Sequence, residues 1–213
     1  YRITRSILKI MLECRHPVGI ITKNSMITRD LDIIQPLNEL GLIKVNISLT
    51  TLDEHLRQKL EPRTASVAKR LETIQTLSSF GIPVNVMLAP IIPGINSDEI
   101  PAMVERAALL GAQDVHCIMV RLNGRVAEIF THWIEKTFPD KRDKVLSLIR
   151  QGHDGQLHDS RFGTRMRGTG PYMKQLGQLL KVLKQRHFKD ARPQTYNTTL
   201  FKRPGDSGQL SLF

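Results

Sequence analysis

IKVNISLTT (residues 43–51) and GIPVNVMLAPIIPGIN (residues 81–96) are the two segments that decide the fold of this chain. Each contains a short apolar run of the kind that forms a buried strand, and a helical pattern follows each run. Polar residues stand at the carboxyl ends of both predicted strands, where α/β folds place their ligands. The stretch from Ile43 to Asp98 therefore predicts part of an active site as well as part of a core.

The same alternation extends on both sides of this stretch. Four apolar runs and four helical patterns take turns, and a parallel βαβ series has this pattern. Such a series forms either a partial β/α barrel or a doubly wound sheet, and the pattern does not choose between them. The predicted strands are Val18–Thr22, Ile43–Leu49, Val84–Ala89 and Val115–Val120, and the predicted helices are Thr4–Glu13, Arg29–Leu40, Thr64–Phe80 and Ser97–Leu110.

The sequence divides into three parts. Residues 1–125 carry the α/β alternation, residues 126–192 form a helical and basic C-terminal extension, and residues 193–213 form a flexible tail. The extension holds predicted helices at Ala127–Phe138, Lys144–Ile149 and Tyr172–Phe188. Because the first residue is tyrosine and a helical pattern starts almost at once, we expect an N-terminally truncated piece of a longer protein.

Positive charge is concentrated in the last quarter of the chain. The net charge of the 213 residues is +11, and residues 161–213 hold eleven lysines and arginines against two acids. This asymmetry predicts contact with a polyanion, most simply nucleic acid, although a solvated basic face without a partner has the same composition. No apolar run approaches the roughly 20 residues that span a bilayer, and no leader resembles a signal peptide. We therefore expect a cytoplasmic protein without a membrane partner.

Candidate binding residues follow or lie within the first two predicted strands. Lys23 follows the first strand, and Asn46, Ser48 and Thr50 share one face of the second. An ammonium group and a hydroxyl at neighbouring strand ends can hold a carboxylate through charge-assisted hydrogen bonds. The alternative is that these are ordinary polar residues at strand ends.

Three other segments are candidates of lower specificity. In EPRT, Glu61 and Thr64 are read as a helix-entry turn with Thr64 as the cap, whereas Arg63 and Arg70 are candidates for a buried ion pair or a ligand contact. In APIIPGIN, Pro90 and Pro93 end the strand, and Gly94 permits a positive φ. The histidines and aspartates of HDGQLHD (residues 153–159) suggest a metal site, but their spacing fits no single helix face, so we expect a solvated loop there. Cys14 and Cys117 are expected to be free thiols, although a disulfide is possible in principle.

The order of these segments resembles the radical S-adenosylmethionine (SAM) superfamily. The resemblance rests on TRSILKIMLE, HPVGIITKN, VNISLTTLD, LEPRT, RLETIQTLSSFGIPVNVMLAPIIPGIN and DSRFGTRMRGTGPY, and it runs from Tyr1 to about Tyr172. Within the superfamily, the chain looks like the DNA repair photolyase-like branch, which is related to spore photoproduct lyase. The resemblance implies a partial β/α barrel.

The resemblance also implies a cofactor set and a reaction. A [4Fe-4S] cluster, held by a cysteine triplet spaced CxxxCxxC, binds SAM, whose reductive cleavage gives a 5′-deoxyadenosyl radical that abstracts hydrogen from the substrate. By resemblance, Lys23 and Ser48 hold the SAM carboxylate end, Ala89 offers a backbone contact near the nucleoside, and Asn46 and Arg63 are further pocket residues. DNA repair, or chemistry on another nucleic-acid-related substrate, is the implied function.

This chain departs from the family pattern in one respect, since it has no CxxxCxxC. We expect the cluster ligands upstream of Tyr1 in the complete protein, which leaves this chain with the SAM-side residues only and no activity of its own. The competing account is a relative without the cluster, acting as a DNA-binding module. The last five residues, QLSLF, resemble the pentapeptide by which bacterial repair and replication proteins bind the DNA sliding clamp, with Gln209, Leu210, Leu212 and Phe213 as its contact residues.

Overall fold

The computed structural model describes residues 2–153, 155–157, 170–189 and 195–203. Strands and helices alternate up to Met119, and the later described elements are helices. The strands are β1 (Val18–Thr22), β2 (Ile43–Ser48), β3 (Val84–Ile91) and β4 (Asp114–Met119), and the helices are α1 (Ile3–Glu13), α2 (Leu31–Glu39), α3 (Glu54–Leu60), α4 (Val67–Ser79), α5 (Ile100–Leu109), α6 (Val126–Thr137), α7 (Arg142–Gln151) and α8 (Gly170–His187).

The four strands form one parallel sheet in the order β1-β2-β3-β4. A doubly wound sheet reverses its strand order at a switch point, whereas successive strands of a β/α barrel pair in chain order. The uninterrupted order therefore decides the question that the sequence pattern left open. The architecture is that of a partial β/α barrel, as predicted by the resemblance.

The main core lies between the sheet and its helices. Val45 and Ile47 of β2, with Val84, Val86 and Leu88 of β3, are buried and point toward the helices. The alternate side chains of the same strands belong to the opposite, inner face. Their register brings Asn46 of β2 beside Asn85 of β3, and Ser48 beside Met87. The inner face therefore carries the polar side chains of β2.

A second apolar cluster lies beyond the carboxyl ends of β3 and β4. Ile92 and Met119 pack there against residues of α6 and α7, including Phe130, Ile134 and Val145. Helix α8 contacts both clusters, because Leu176 and Leu183 are buried in the main core and Tyr172 and Met173 pack against the second cluster. The predicted extension thus packs against the barrel through all three of its helices.

Several predicted boundaries require correction. Helix α3 was missed. Helix α4 begins at Val67 and is capped by Ser66, not by Thr64, because the Ser66 hydroxyl accepts from the Lys69 N–H. Strand β3 continues through Pro90 to Ile91, and the Ala89–Pro90 peptide is cis. The glycines that were predicted to close helices, among them Gly41, do have positive φ.

Residues 195–203 lie across the amino ends of β1 and β2. The Asn197 N–H donates to the Gly41 carbonyl at 3.0 Å, and the Lys202 N–H donates to the Cys14 carbonyl at 2.8 Å. A Cβ atom at Gly19 would lie 2.9 Å from the Tyr196 hydroxyl, so a larger residue there would require the Tyr196 side chain to shift. The predicted tail at 193–213 thus has an attached part, and residues 204–213 lie outside the described residues.

Two composition-based expectations can be compared with the structure. Both thiols are free, with Cys14 buried and Cys117 half-buried, and burial raises the pKa of the Cys117 thiol to about 12. An unreactive side chain of the apolar core has this character. Within the described ranges, no helix is long and apolar enough to cross a membrane.

Candidate active site

Polar groups converge where β1, β2 and β3 end. Lys23 follows β1 directly, Ser48 is the last residue of β2, and Ala89 lies near the end of β3. Ser48 is almost fully buried, whereas about a third of the Lys23 side chain is exposed. Because parallel strands end at one edge of the sheet, residues separated by up to 66 positions in sequence meet there.

A buried carboxylate, that of Glu61, joins side chains from several elements at this edge. It accepts hydrogen bonds from Lys23 through Oε1, from the Thr50 hydroxyl at 2.9 Å, and from Arg70 Nη2 through Oε2 at 2.7 Å. The Glu61 side chain is 9% exposed and the Arg70 side chain 1%. The arrangement is therefore a buried charge cluster with two cations on one carboxylate.

Arg70 connects this cluster to the backbone. Its Nη1 donates to the Ser48 carbonyl at 3.0 Å, its Nε donates to the Ala65 carbonyl at 3.0 Å, and its Nη2 also contacts the Thr64 hydroxyl. The guanidinium thus fixes the end of β2 relative to the turn that enters α4. Thr64 contributes to this contact rather than to a helix cap.

The electrostatics keep Glu61 ionised. Burial acts to raise the pKa of its carboxyl group, but the hydrogen bonds from Lys23 and Arg70, together with their positive charges, outweigh burial and hold the pKa below its usual value. A carboxylate that already binds Arg70 does not need both cations for its charge balance. Lys23 is the more exposed of the two and is the one that can turn toward a ligand.

The segment after β3 is shaped by two side chains. Asn96 is fully buried and donates to the carbonyls of Thr50 and Pro90 at 2.8 and 3.0 Å, while its oxygen accepts from the Ile92 N–H at 2.7 Å. Glu99 accepts from the Thr51 hydroxyl and from the Leu52 N–H, both at 2.6 Å. These bonds hold the ends of β2 and β3 together.

The predicted site residues differ in their positions and contacts in the structure. Lys23 and Ala89 are linked through Glu61 and Thr50, because Lys23 contacts Glu61 and Thr50 contacts both Glu61 and the Ala89 carbonyl, the latter at 3.2 Å. Ser48 is linked to Glu61 through Arg70, which donates to the Ser48 carbonyl. The Asn46 amide donates to the Ile20 carbonyl at 3.3 Å from the inner face. Arg63 is exposed in the turn before α4. The buried ion pair that was predicted for Arg63 or Arg70 belongs to Arg70.

One residue of the site, Glu61, was not recognised from the sequence, which assigned it to a helix-entry turn. Thr50 was a candidate on the same face as Asn46 and Ser48. The sequence signal for Glu61 was an acidic residue flanked by polar residues at strand ends. Its partners Lys23 and Arg70 lie 38 and 9 residues away in the sequence. Sequence spacing does not show such a pairing.

Other sequence candidates lie apart from this edge or outside the described ranges. His153 is buried, with its Nε2 atom 3.3 Å from the Val120 carbonyl oxygen. Asp154, His158 and Asp159 of the same segment lie outside the described residues, as does QLSLF. Among the residues that the structure describes, no group of three or more histidine, cysteine, aspartate or glutamate side chains could hold a metal ion.

Two uncharacterised proteins are similar in sequence to this chain. An uncharacterised protein of Mycobacterium tuberculosis is 25% identical over 154 residues, which cover 71% of this chain and 45% of that protein. An uncharacterised protein of Methanocaldococcus jannaschii is 24% identical over 148 residues, which cover 68% and 52% respectively. The chain thus spans about half the length of the curated relatives it matches.

A solved structure shares the fold. A mutant of spore photoproduct lyase with bound AdoMet and dinucleoside spore photoproduct superimposes with a TM-score of 0.62 at 17% identity, covering 91% of this chain and 55% of that one. The family model described as "Radical SAM superfamily" matches residues 1–107. That match includes all of the strand-end residues named above, from Lys23 to Glu99, and half of the chain. The chain belongs to the radical SAM superfamily.

Proposed function

We propose that the full-length protein is a radical SAM enzyme and that this chain supplies the SAM-binding edge of its barrel. The observation that carries the proposal is the position of Lys23 and Ser48 at the sheet edge, where Glu61 binds Lys23 and Arg70 and Arg70 binds the Ser48 carbonyl, inside the segment that matches the family model. In this role, Lys23 and Ser48 bind the SAM carboxylate, and the Ala89 backbone faces the nucleoside.

The donor chemistry of this edge fits the amino-acid end of SAM. A partly exposed ammonium and a hydroxyl can both donate to a carboxylate. When Lys23 turns to the ligand, Arg70 and Thr50 still satisfy Glu61, so no buried charge is left unpaired. The barrel residues bind and orient the ligand and keep water away from it.

The cluster ligands do not come from the residues of this chain. Its two cysteines lie at the end of α1 and within β4, and three thiolates in one loop are needed for the CxxxCxxC pattern. We place the cluster in the part of the full-length protein outside this chain. The cluster and SAM together supply reductive cleavage of SAM and hydrogen abstraction from the substrate.

A nucleic-acid substrate is the finer part of the proposal. Two observations support it: the basic composition of residues 161–213, and the structural neighbour that binds a dinucleoside spore photoproduct. DNA repair is the function that these two observations favour. A cytoplasmic location is part of the same proposal.

The proposal predicts SAM cleavage by the full-length protein. After anaerobic reconstitution with iron and sulfide, the protein should show the visible absorption of a [4Fe-4S] cluster. On addition of dithionite and SAM, it should then release 5′-deoxyadenosine, which chromatography with mass detection can quantify. A reconstituted protein that shows neither the absorption nor the product would refute the proposed activity.

A second candidate function is a tether to the DNA sliding clamp, and the observation that favours it is the C-terminal QLSLF. We propose that Gln209, Leu210, Leu212 and Phe213 bind the apolar groove of the clamp, because short apolar segments at chain ends dock into such grooves. The two functions are compatible. If the complete protein lacks a cysteine triplet, the tether alone is the function.

Deletion of residues 209–213 is expected to abolish capture of purified sliding clamp in a pull-down with the full-length protein. The matched control is Lys202→Ala/Arg203→Ala, which removes two nearby positive charges and keeps the pentapeptide. We expect that control to retain the clamp. Equal capture by the deletion variant and the intact protein would contradict the tether.

A further inference from the structure

A cavity lies beside the sheet edge and is built from residues that the proposed SAM site does not use. Its volume is about 170 Å³. Its apolar lining comes from Leu56, Ile95 and Phe138, and Lys59 and Lys141 supply positive charge. His55 and Asp53 complete the lining.

Hydrogen bonds fix the walls of this cavity. The Trp133 indole N–H donates to the Lys59 carbonyl at 3.2 Å and so joins α6 to α3. Lys141 Nζ lies 3.5 Å from the Gly94 carbonyl oxygen, which joins the start of α7 to the turn after β3. Asp53 accepts from the His55 N–H at 2.8 Å as the cap of α3, so its carboxylate is already engaged.

The cavity adjoins the mouth of the barrel. Helix α3 starts directly after Thr51 and Leu52, which Glu99 holds at the carboxyl end of β2. Ile95 and Gly94 belong to the turn that Asn96 fixes to the same edge. A linear polymer that places one unit in the barrel mouth therefore has this cavity within reach of a neighbouring unit.

The cavity combines an aromatic ring with exposed cations. Phe138 packs edge-on against Trp133, with ring centroids 5.8 Å apart, and Lys59 Nζ lies 5.0 Å from the Phe138 centroid. Lys59 is exposed, so its ammonium group can leave the ring for an incoming anion. An aromatic ring with lysines at its border is the combination that binds single-stranded nucleic acid, through base stacking and phosphate contacts.

We propose that this cavity binds one nucleotide that flanks the substrate position of a single-stranded nucleic acid, with its base on Phe138 and its phosphate on Lys59 and Lys141. The inference rests on the proposed nucleic-acid substrate and extends it to a defined contact. It places that contact on α3 and α6–α7, whereas composition alone pointed to residues 161–213.

The test is fluorescence anisotropy with the full-length protein and labelled single-stranded DNA and RNA of one sequence, over a series of salt concentrations. Lys59→Ala/Lys141→Ala should reduce the slope of log affinity against log salt by about 0.7, since the two lysines share one phosphate and each phosphate contact on a single strand contributes about 0.7. The control Lys9→Ala/Lys69→Ala removes two exposed lysines elsewhere and should leave the slope unchanged. The two labels show which nucleic acid binds more tightly.

Phe138→Leu separates stacking from charge. It should weaken binding at least about fivefold, the lower end of what one stacked base contributes, and thermal melting verifies that the variant folds. The same substitution should not change the affinity of the protein for an oligonucleotide that lacks bases. If the wild-type protein binds the oligonucleotides, and neither Lys59→Ala/Lys141→Ala nor Phe138→Leu changes that binding, the assignment to the cavity is wrong. The proposal of a nucleic-acid substrate is unaffected by that result. If the wild-type protein binds no oligonucleotide, both fall, and SAM cleavage remains a separate question.

Discussion

Replacement of Arg70 by leucine is expected to lower the free energy of unfolding of this protein by about 3–5 kcal/mol, because removal of one partner leaves a buried charge without compensation. Glu61 would keep Lys23 and Thr50 as donors, but its Oε2 would lose the 2.7 Å bond from the guanidinium. The Ser48 and Ala65 carbonyls would lose their donor as well. Urea unfolding followed by circular dichroism measures the loss.

Two matched variants distinguish charge from geometry at this site. Arg70→Lys keeps the positive charge but cannot form the fork that reaches Glu61 and two backbone carbonyls, so we expect an intermediate loss. Glu61→Gln/Arg70→Leu removes both charges and should lose less stability than the sum of the two single variants. Arg70→Leu within about 1 kcal/mol of the wild type would show that the cluster does not contribute as a buried network.

The second large effect is expected on SAM affinity. Lys23→Ala should weaken SAM binding to the reconstituted full-length protein about 10- to 100-fold, since hydrogen bonds to charged groups contribute about 1.5–3 kcal/mol. Ser48→Ala removes a neutral donor and should cost about 3- to 10-fold. Stability should change little in the Lys23 variant, because Arg70 continues to neutralise Glu61.

Lys44→Ala is the matched control for these variants. Lys44 lies on the same strand as Ser48, at the opposite end of the inner face, and its ammonium group lies 4.6 Å from the centroid of the Tyr196 ring. Its removal takes away the same charge without touching the carboxyl edge. A Lys44 variant that loses as much SAM affinity as Lys23→Ala would contradict a specific contact at Lys23.

The fold was predictable because its signals are local. Apolar runs marked β1 to β4 within a few residues of their observed bounds, and glycines at positive φ marked the ends of α2 and α4. Helix α3 was missed although Asp53 offers a cap, because a helix of seven residues presents only a short apolar stripe. Its stability comes from distant partners, such as the Val67 N–H that donates to Glu54.

The site was predictable only in part, because some of its contacts join residues that are far apart in the sequence. Lys23 and Ser48 could be chosen because strand ends of parallel sheets meet at one edge. Glu61 could not, since its role depends on Lys23 and Arg70 arriving from two other elements. The attached segment at 195–203 was missed for the same cause, because its contacts with Gly19 and Gly41 cross most of the chain.

The most direct test of the central claim, that the carboxyl edge of this sheet holds SAM, is equilibrium dialysis of labelled SAM against the reconstituted full-length protein. The wild-type protein should bind one SAM per chain, Lys23→Ala and Ser48→Ala should bind it more weakly by the factors given above, and Lys44→Ala should match the wild type. Undiminished SAM binding by Lys23→Ala and Ser48→Ala, or no SAM binding by the wild type, would contradict the claim.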